Sequence, residues 1–183
     1  DAPVWVIGGG KTGLDTAHLL ITRCPGREVN MLVGRGAIAL RRDVLLPASV
    51  RGRWLGGLPF NTLGNGLAQR YDGTNEDEVL RWYYSMLGTG PTGEKCDFAF
   101  GFGGVTSDAE MAVITAGLRR ADNEDLVDAV DRDGSTELVF RGGRTEQVPV
   151  GTWLVNCTGL MMRGSHPYEP FVSPSGRTLS IQQ

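Results

Sequence analysis

Much is missing from this 183-residue chain, and each absence removes a class of function. Its three cysteines, Cys24, Cys96 and Cys157, are odd in number and widely spaced, which excludes a C-x-x-C redox dithiol or a zinc ribbon within the chain. Its two histidines, His18 and His166, have no ligand-spaced partners, and His18 reads as a partly buried residue of the first helix. There is no basic excess: 18 Lys and Arg against 21 Asp and Glu leave a net charge of −3, which argues against a nucleic-acid surface. No apolar run approaches the ~20 residues of a membrane span, and no charged-then-apolar leader opens the chain. None of Tyr71, Tyr83, Tyr84 and Tyr168 has Lys four residues on, so the Tyr-x-x-x-Lys pair of a short-chain dehydrogenase is lacking. An initiator Met is lacking too, and Asp1 stands three residues before a core strand, as in an excised domain. With 40% apolar and 21% charged residues, the expectation is a soluble, cytoplasmic fragment of one elaborated domain, with no nucleic-acid or membrane partner.

What is present begins at once. Val4-Trp5-Val6-Ile7 reads as a strand, Gly8-Gly9-Gly10-Lys11-Thr12-Gly13 as a turn, and the apolar spacing of Leu14, Ala17, Leu20 and Ile21 as a helix. Gly8, Gly10 and Gly13 fit G-x-G-x-x-G, in which the first glycine permits the turn, the second admits a pyrophosphate to the backbone and the third lets helix pack on strand. A helix amino terminus offers free N–H groups and positive dipole to phosphate. Two rival readings fail. A P-loop ending at Gly10-Lys11-Thr12 needs glycine where Trp5 stands, and a methyltransferase-like site expects an acid closing the second strand.

That second strand, Glu28–Val33, completes a βαβ unit after the stop at Cys24-Pro25-Gly26-Arg27. NAD-preferring sites place a carboxylate near its end; here stand Gly34-Arg35-Gly36 and then Arg41-Arg42. A guanidinium grips a 2′-phosphate that a carboxylate would repel, so Arg35, Arg41 and Arg42 point to NADPH over NADH; the alternative for all three is solvated surface charge. The following insertion, about 37–105, is rich in turns and holds nine of the chain's 14 aromatic side chains. Its glycine-rich loops lack flanking strand and helix and read as turns. Within it a helix to Leu87 is expected, with Asn75 accepting from its first N–H groups.

Ser107-Asp108-Ala109-Glu110 is a capping box opening a helix that finishes at Arg119-Arg120, followed by a solvated acidic turn, Ala121–Asp125. Leu126–Val130, Thr136–Phe140 and Glu146–Val150, separated by Asp133-Gly134 and Gly142-Gly143, form a three-stranded antiparallel meander. Trp153–Asn156 is a final buried strand ending in Cys157-Thr158-Gly159, and 160–183 reads as an exit linker. The fold class is therefore α/β: a Rossmann-like βαβ with a parallel sheet plus the meander.

This order resembles the NADPH-binding domain of two-dinucleotide flavoprotein oxidoreductases, the group of flavin-containing and Baeyer–Villiger monooxygenases and thioredoxin reductases. Gly8, Gly10 and Gly13, the run Thr12–Ala17, Arg35, and Asn156-Cys157-Thr158-Gly159 carry the resemblance, over residues 4–35 and 107–159. It implies that Gly8, Gly10, Lys11, Thr12 and Gly13 surround the pyrophosphate, Arg35 meets the 2′-phosphate, and Gly159 lies near the nicotinamide half, with Thr158 among the cofactor-binding residues. The NADPH domain would span 1–159, and 160–183 would lead to an FAD-binding domain of the same full-length protein that is missing here. The absent C-x-x-C favours the monooxygenase side over thioredoxin reductase. A non-catalytic NAD(P)-binding domain that docks a partner through the aromatic insertion is the alternative.

Overall fold

The computed structural model describes residues 2–34, 38–46, 54, 60–93, 102–132, 134–158, 171–172 and 179–180. Strand β1 (Val4–Ile7) runs through the glycine turn into α1 (Lys11–Arg23), and β2 (Val29–Leu32) returns parallel to β1. The insertion supplies β3 (Ile38–Arg41), α2 (Arg42–Leu45), α3 (Phe60–Arg70), α4 (Glu76–Leu87), β4 (Gly88–Thr89) and β5 (Phe102–Thr106). Then come α5 (Asp108–Gly117), β6 (Arg120–Asp122), the meander β7 (Leu126–Arg132), β8 (Ser135–Phe140) and β9 (Thr145–Val148), and β10 (Trp153–Asn156). Two short strands, β11 (Phe171–Val172) and β12 (Leu179–Ser180), pair antiparallel within the stretch expected to be a linker.

The main sheet is parallel throughout, in the order β10-β1-β2-β6. Strand alternation sends successive side chains to opposite faces. Val6, Val29 and Met31 therefore pack with Leu14 and Ala17 of α1 and Met111 and Ile114 of α5. Trp5, Ile7 and Leu32 face the other way, onto Leu138, Phe140 and Val148 of the meander. The molecule thus has three layers, helices, parallel sheet and antiparallel meander. Each fully buried Val, Leu, Ile, Phe or Met of the two cores stabilises by roughly 1.5–3 kcal/mol. The helices meet closely: a Cβ on Gly117 would lie 2.3 Å from Ile21.

Arg120 ties two layers together. Its guanidinium lies 4.7 Å over the Trp5 ring, donates two bonds of 2.8 Å to Glu146 of β9 and another to Asp122. Those carboxylates raise its pKa, and Arg120 in turn holds Glu146 below the usual carboxylate range. The insertion is more regular than its composition suggests. β3 pairs parallel with β5 and antiparallel with β4, and Leu87 and Tyr83 of α4 pack with Leu40, Val44, Leu45 and Val105.

Several expectations are corrected. Strand β10 is not buried: it is the outermost strand of the main sheet among the described residues, and Trp153 is 63% exposed. The helix opened by Ser107 stops at Gly117; Arg120 belongs to β6, which pairs with β2. The acidic turn is not merely solvated, since Asp122, Glu124 and Asp125 hold Arg120, Arg144 and Arg141. Asn75 stands at the start of α4 without capping it; its side chain instead accepts from the Asp72 N–H and donates to the Arg70 carbonyl.

Candidate functional site

The chain leaves β1 toward β2 and β6 on one side, while β10 lies on the other. The crevice at the carboxyl ends of such strands, where strand order reverses, is where open parallel sheets bind ligands. The glycine turn sits there. Gly8 adopts φ +115°, a region costly for any side-chain-bearing residue, and a Cβ on it would come 2.7 Å from the Cys157 carbonyl at the end of β10. The Gly8 N–H donates to the Leu32 carbonyl and the Cys157 N–H to the Ile7 carbonyl, both at 2.7 Å, which locks turn, β2 and β10 together. A Cβ on Gly9 would strike Val33 at 2.2 Å, and one on Gly13 would lie 1.9 Å from the Gly8 carbonyl oxygen.

Gly10 is different. Its backbone angles, φ −71° and ψ 178°, suit any residue, and a Cβ built on it would meet no atom of the described residues within 4 Å. Among the four glycines of the turn it alone is demanded neither by conformation nor by packing. The open space before it faces the amino terminus of α1, whose cap, Gly10 itself, offers no side chain to the first N–H groups.

No acid stands in the first turn of α1. Lys11 does, at the positive end of the dipole, where a cation is disfavoured unless an anion joins it. Its ammonium pairs with Asp15, its stem packs where a Cβ on Gly104 would come within 2.6 Å, and its side chain keeps 35% exposure. Thr12 is exposed. Across the turn, Thr16 Oγ1 lies 3.7 Å from Cys157 Sγ, and the Thr158 N–H and hydroxyl both donate to Asn156 Oδ1. Gly8, Gly10, Lys11, Thr12, Gly13 and Thr158 are thus gathered at one end of the sheet. Arg35 and Gly159 lie outside the described residues.

Arg41 and Arg42 turn to the start of α5. Arg41 donates to both carboxylate oxygens of Asp108, at 2.8 and 2.6 Å, and Arg42 pairs with Glu110 at 3.3 Å. The Arg41 guanidinium lowers the Asp108 pKa. Glu110, accepting from the Ser107 N–H and hydroxyl and from Thr106, is held down at about 2. The expected capping box is complete, and the two arginines staple β3 and α2 to it.

One residue escaped the sequence reading. Asp125, from the connection between β6 and β7, lies at the tip of β2: a Cβ on Gly34 would come 2.9 Å from its Oδ1. No local pattern marks it, because the acid arrives from another strand. A cleft of about 400 Å³ opens at the carboxyl end of β6, lined by Pro91, Thr92, Ala121, Asp122 and Asn123. Among the described residues, no group of three His, Cys, Asp or Glu side chains could hold a metal, and no helix is long and apolar enough to cross a membrane.

No family model and no curated protein matches the chain. Solved structures similar to it include the ornithine N-hydroxylase of Kutzneria sp. 744, captured with reduced FAD, NADP+ and L-ornithine (15% identity, TM-score 0.43, covering 86% of this chain and 35% of that one). Others are the L-lysine 6-monooxygenase of Pseudomonas syringae (14%, 0.44, 96% and 38%) and the ornithine hydroxylase of Pseudomonas aeruginosa (16%, 0.42, 88% and 37%). The chain spans little more than a third of the length of these proteins. Likeness at this level carries no inference about activity.

Proposed function

We propose that this chain binds NADPH as the dinucleotide domain of a flavin-dependent oxidoreductase of the monooxygenase kind. It would hold the cofactor for hydride transfer to FAD bound by sequence outside the chain. The observation that carries the reading is Gly10: a side chain is missing where neither backbone nor packing requires it, directly before uncapped helix N–H groups. A pyrophosphate approaching the backbone accounts for that gap.

In this reading the N–H groups of Lys11, Thr12 and Gly13, with the Lys11 ammonium, bind the pyrophosphate. Arg35 takes the 2′-phosphate ahead of Arg41 and Arg42, whose charges Asp108 and Glu110 already match. Thr158 and Gly159 border the nicotinamide half. Neighbouring strands are about 4.8 Å apart, so the tip of β2 and the cleft beyond β6 lie roughly 5 and 10 Å along the sheet from the turn, a span suited to the adenosine half. NADPH supplies the hydride; the chain supplies orientation.

Isothermal titration of the folded chain tests this. Saturable one-to-one binding of NADPH is expected, and absence of binding at millimolar NADPH refutes it. A second reading, a non-catalytic domain that docks a partner, is favoured by Trp54, 84% exposed in the aromatic insertion. It is distinguished by whether the full-length protein carries a second, FAD-type glycine motif and reduces flavin at the expense of NADPH.

A further inference from the structure

We infer that Gly104 is a positioning residue of the dinucleotide site: a glycine bulge in β5 holds the Lys11 stem so that its ammonium can reach the phosphates, which makes the insertion a working part of the site. The inference rests on the dinucleotide reading above.

Strand β5 does not run regularly beside β3. Ile38 lies opposite Phe102 and Leu40 opposite Val105, so two steps along β3 match three along β5, and one residue of the Gly103-Gly104 pair is extra. Such a bulge bends its strand and re-aims what lies against it. Gly104 takes φ +79°, which a side-chain-bearing residue adopts only at a cost. The atoms nearest a Cβ built on it are Lys11 Cβ, Cγ and Cδ, at 2.6, 2.9 and 3.2 Å. The lysine stem thus lies along the backbone of the bulge, on ground that any side chain at position 104 would take.

Lys11 is the first residue of α1, and its ammonium pairs with Asp15 one turn further along the helix. A salt bridge between exposed groups is weak, so a phosphate at the helix start draws the ammonium away. With the root of the side chain gripped at Gly104, only its end has to move, and a stem already ordered loses less rotamer freedom on binding. Two unfavourable local choices meet here, a cation at the positive end of a helix dipole and a positive φ inside a strand. An arriving pyrophosphate offsets the first and gives the second a use. Gly117 also admits a neighbour, but that neighbour is Ile21, an apolar side chain with no charge to deliver.

The test is NADPH titration and thermal unfolding of the whole chain, for wild type, Gly104→Ala, Lys11→Met and the double variant. Methionine keeps an unbranched stem and removes the charge. Lys11→Met should weaken NADPH about tenfold and Gly104→Ala about as much, since either takes the ammonium from the phosphates. In the Lys11→Met background Gly104→Ala should weaken NADPH by less than about twofold more, although it lowers Tm there as much as in wild type.

A merely structural Gly104 would weaken NADPH equally in both backgrounds, and that result overturns the inference, as does wild-type affinity in Gly104→Ala. The wild-type chain supplies a reading that needs no variant to fold: the Gly104 backbone amide resonance should shift on NADPH addition with the same saturation as that of Gly10. A Gly104 resonance unmoved while Gly10 saturates overturns the inference and leaves dinucleotide binding intact. Wild type that does not bind NADPH overturns the dinucleotide reading and this inference with it.

Discussion

Replacing Gly10 by serine separates the folding role of the glycine turn from its binding role. The backbone at Gly10, φ −71° and ψ 178°, is one serine adopts without strain, and the added Cβ has no atom of the described residues within 4 Å. Serine is also a better helix cap than glycine by a few tenths of a kcal/mol, and loss of a glycine trims the unfolded ensemble by about 0.4–1 kcal/mol. Stability should therefore rise by about 0.5–1 kcal/mol, or about 1–4 °C in Tm for a chain of this size. Binding should move the other way. The new Oγ competes for the Thr12 and Gly13 N–H groups and fills the approach path. Each charge-assisted bond lost to a phosphate is worth about 1.5–3 kcal/mol, so losing even one weakens NADPH by roughly tenfold to more than a hundredfold. Differential scanning calorimetry and isothermal titration on the same preparation read both quantities. Wild-type NADPH affinity in Gly10→Ser would refute the reasoning, because the open space would then be no ligand path. A fall in stability of more than about 2 kcal/mol would refute it too, since the site would not be open.

Two other outcomes follow from the ion pairs. The Glu110 pKa is held at about 2 by the Ser107 and Thr106 bonds and Arg42, so its contribution is complete above pH 4.5 and is lost as pH falls from there through about 2. With its side chain 34% exposed, that contribution is discounted to about 1–2 kcal/mol. Glu110→Gln should be less stable by that amount at neutral pH in urea melts, with the gap to wild type closing between pH 4.5 and 2; a constant gap would show that the charge is irrelevant. Arg120→Met should cost about 2 kcal/mol by leaving Asp122 and part of Glu146 unpaired between sheet and meander. Its double-mutant cycle with Glu146→Gln should give a coupling of about 1 kcal/mol, and strict additivity would contradict the strut.

How much of this was legible beforehand depended on the range of the interactions. The turn and α1 could be read because strand, glycines and helical spacing are contiguous. The capping box at Ser107 and the turns of the meander could be read because their chemistry is local; Gly134, Gly142 and Gly143 all take the positive φ those turns require. Strand β6 was not legible. Three residues, Arg120–Asp122, have no period of their own and become a strand only by lying beside β2. The exposure of Trp153 was hidden for the same reason, since whether a sheet face is covered at a given residue depends on elements elsewhere in the chain. At the site, the glycines, Lys11 and Thr12 lie along one stretch of sequence. Asp125 reaches Gly34 only through the pairing of β6 with β2. Arg41 and Arg42 had the charge expected of phosphate ligands, and only the fold reveals the carboxylates facing them.

The central claim is that a dinucleotide phosphate meets the uncapped amino terminus of α1 at Gly10. The most direct measurement is a titration of the 15N-labelled chain with NADPH, following backbone amide resonances. Saturable shifts largest at Gly10, Lys11, Thr12 and Gly13, extending to Gly34 and Thr158, are predicted. Shifts confined to the insertion, or none at millimolar NADPH with the spectrum of a folded chain, would contradict the account.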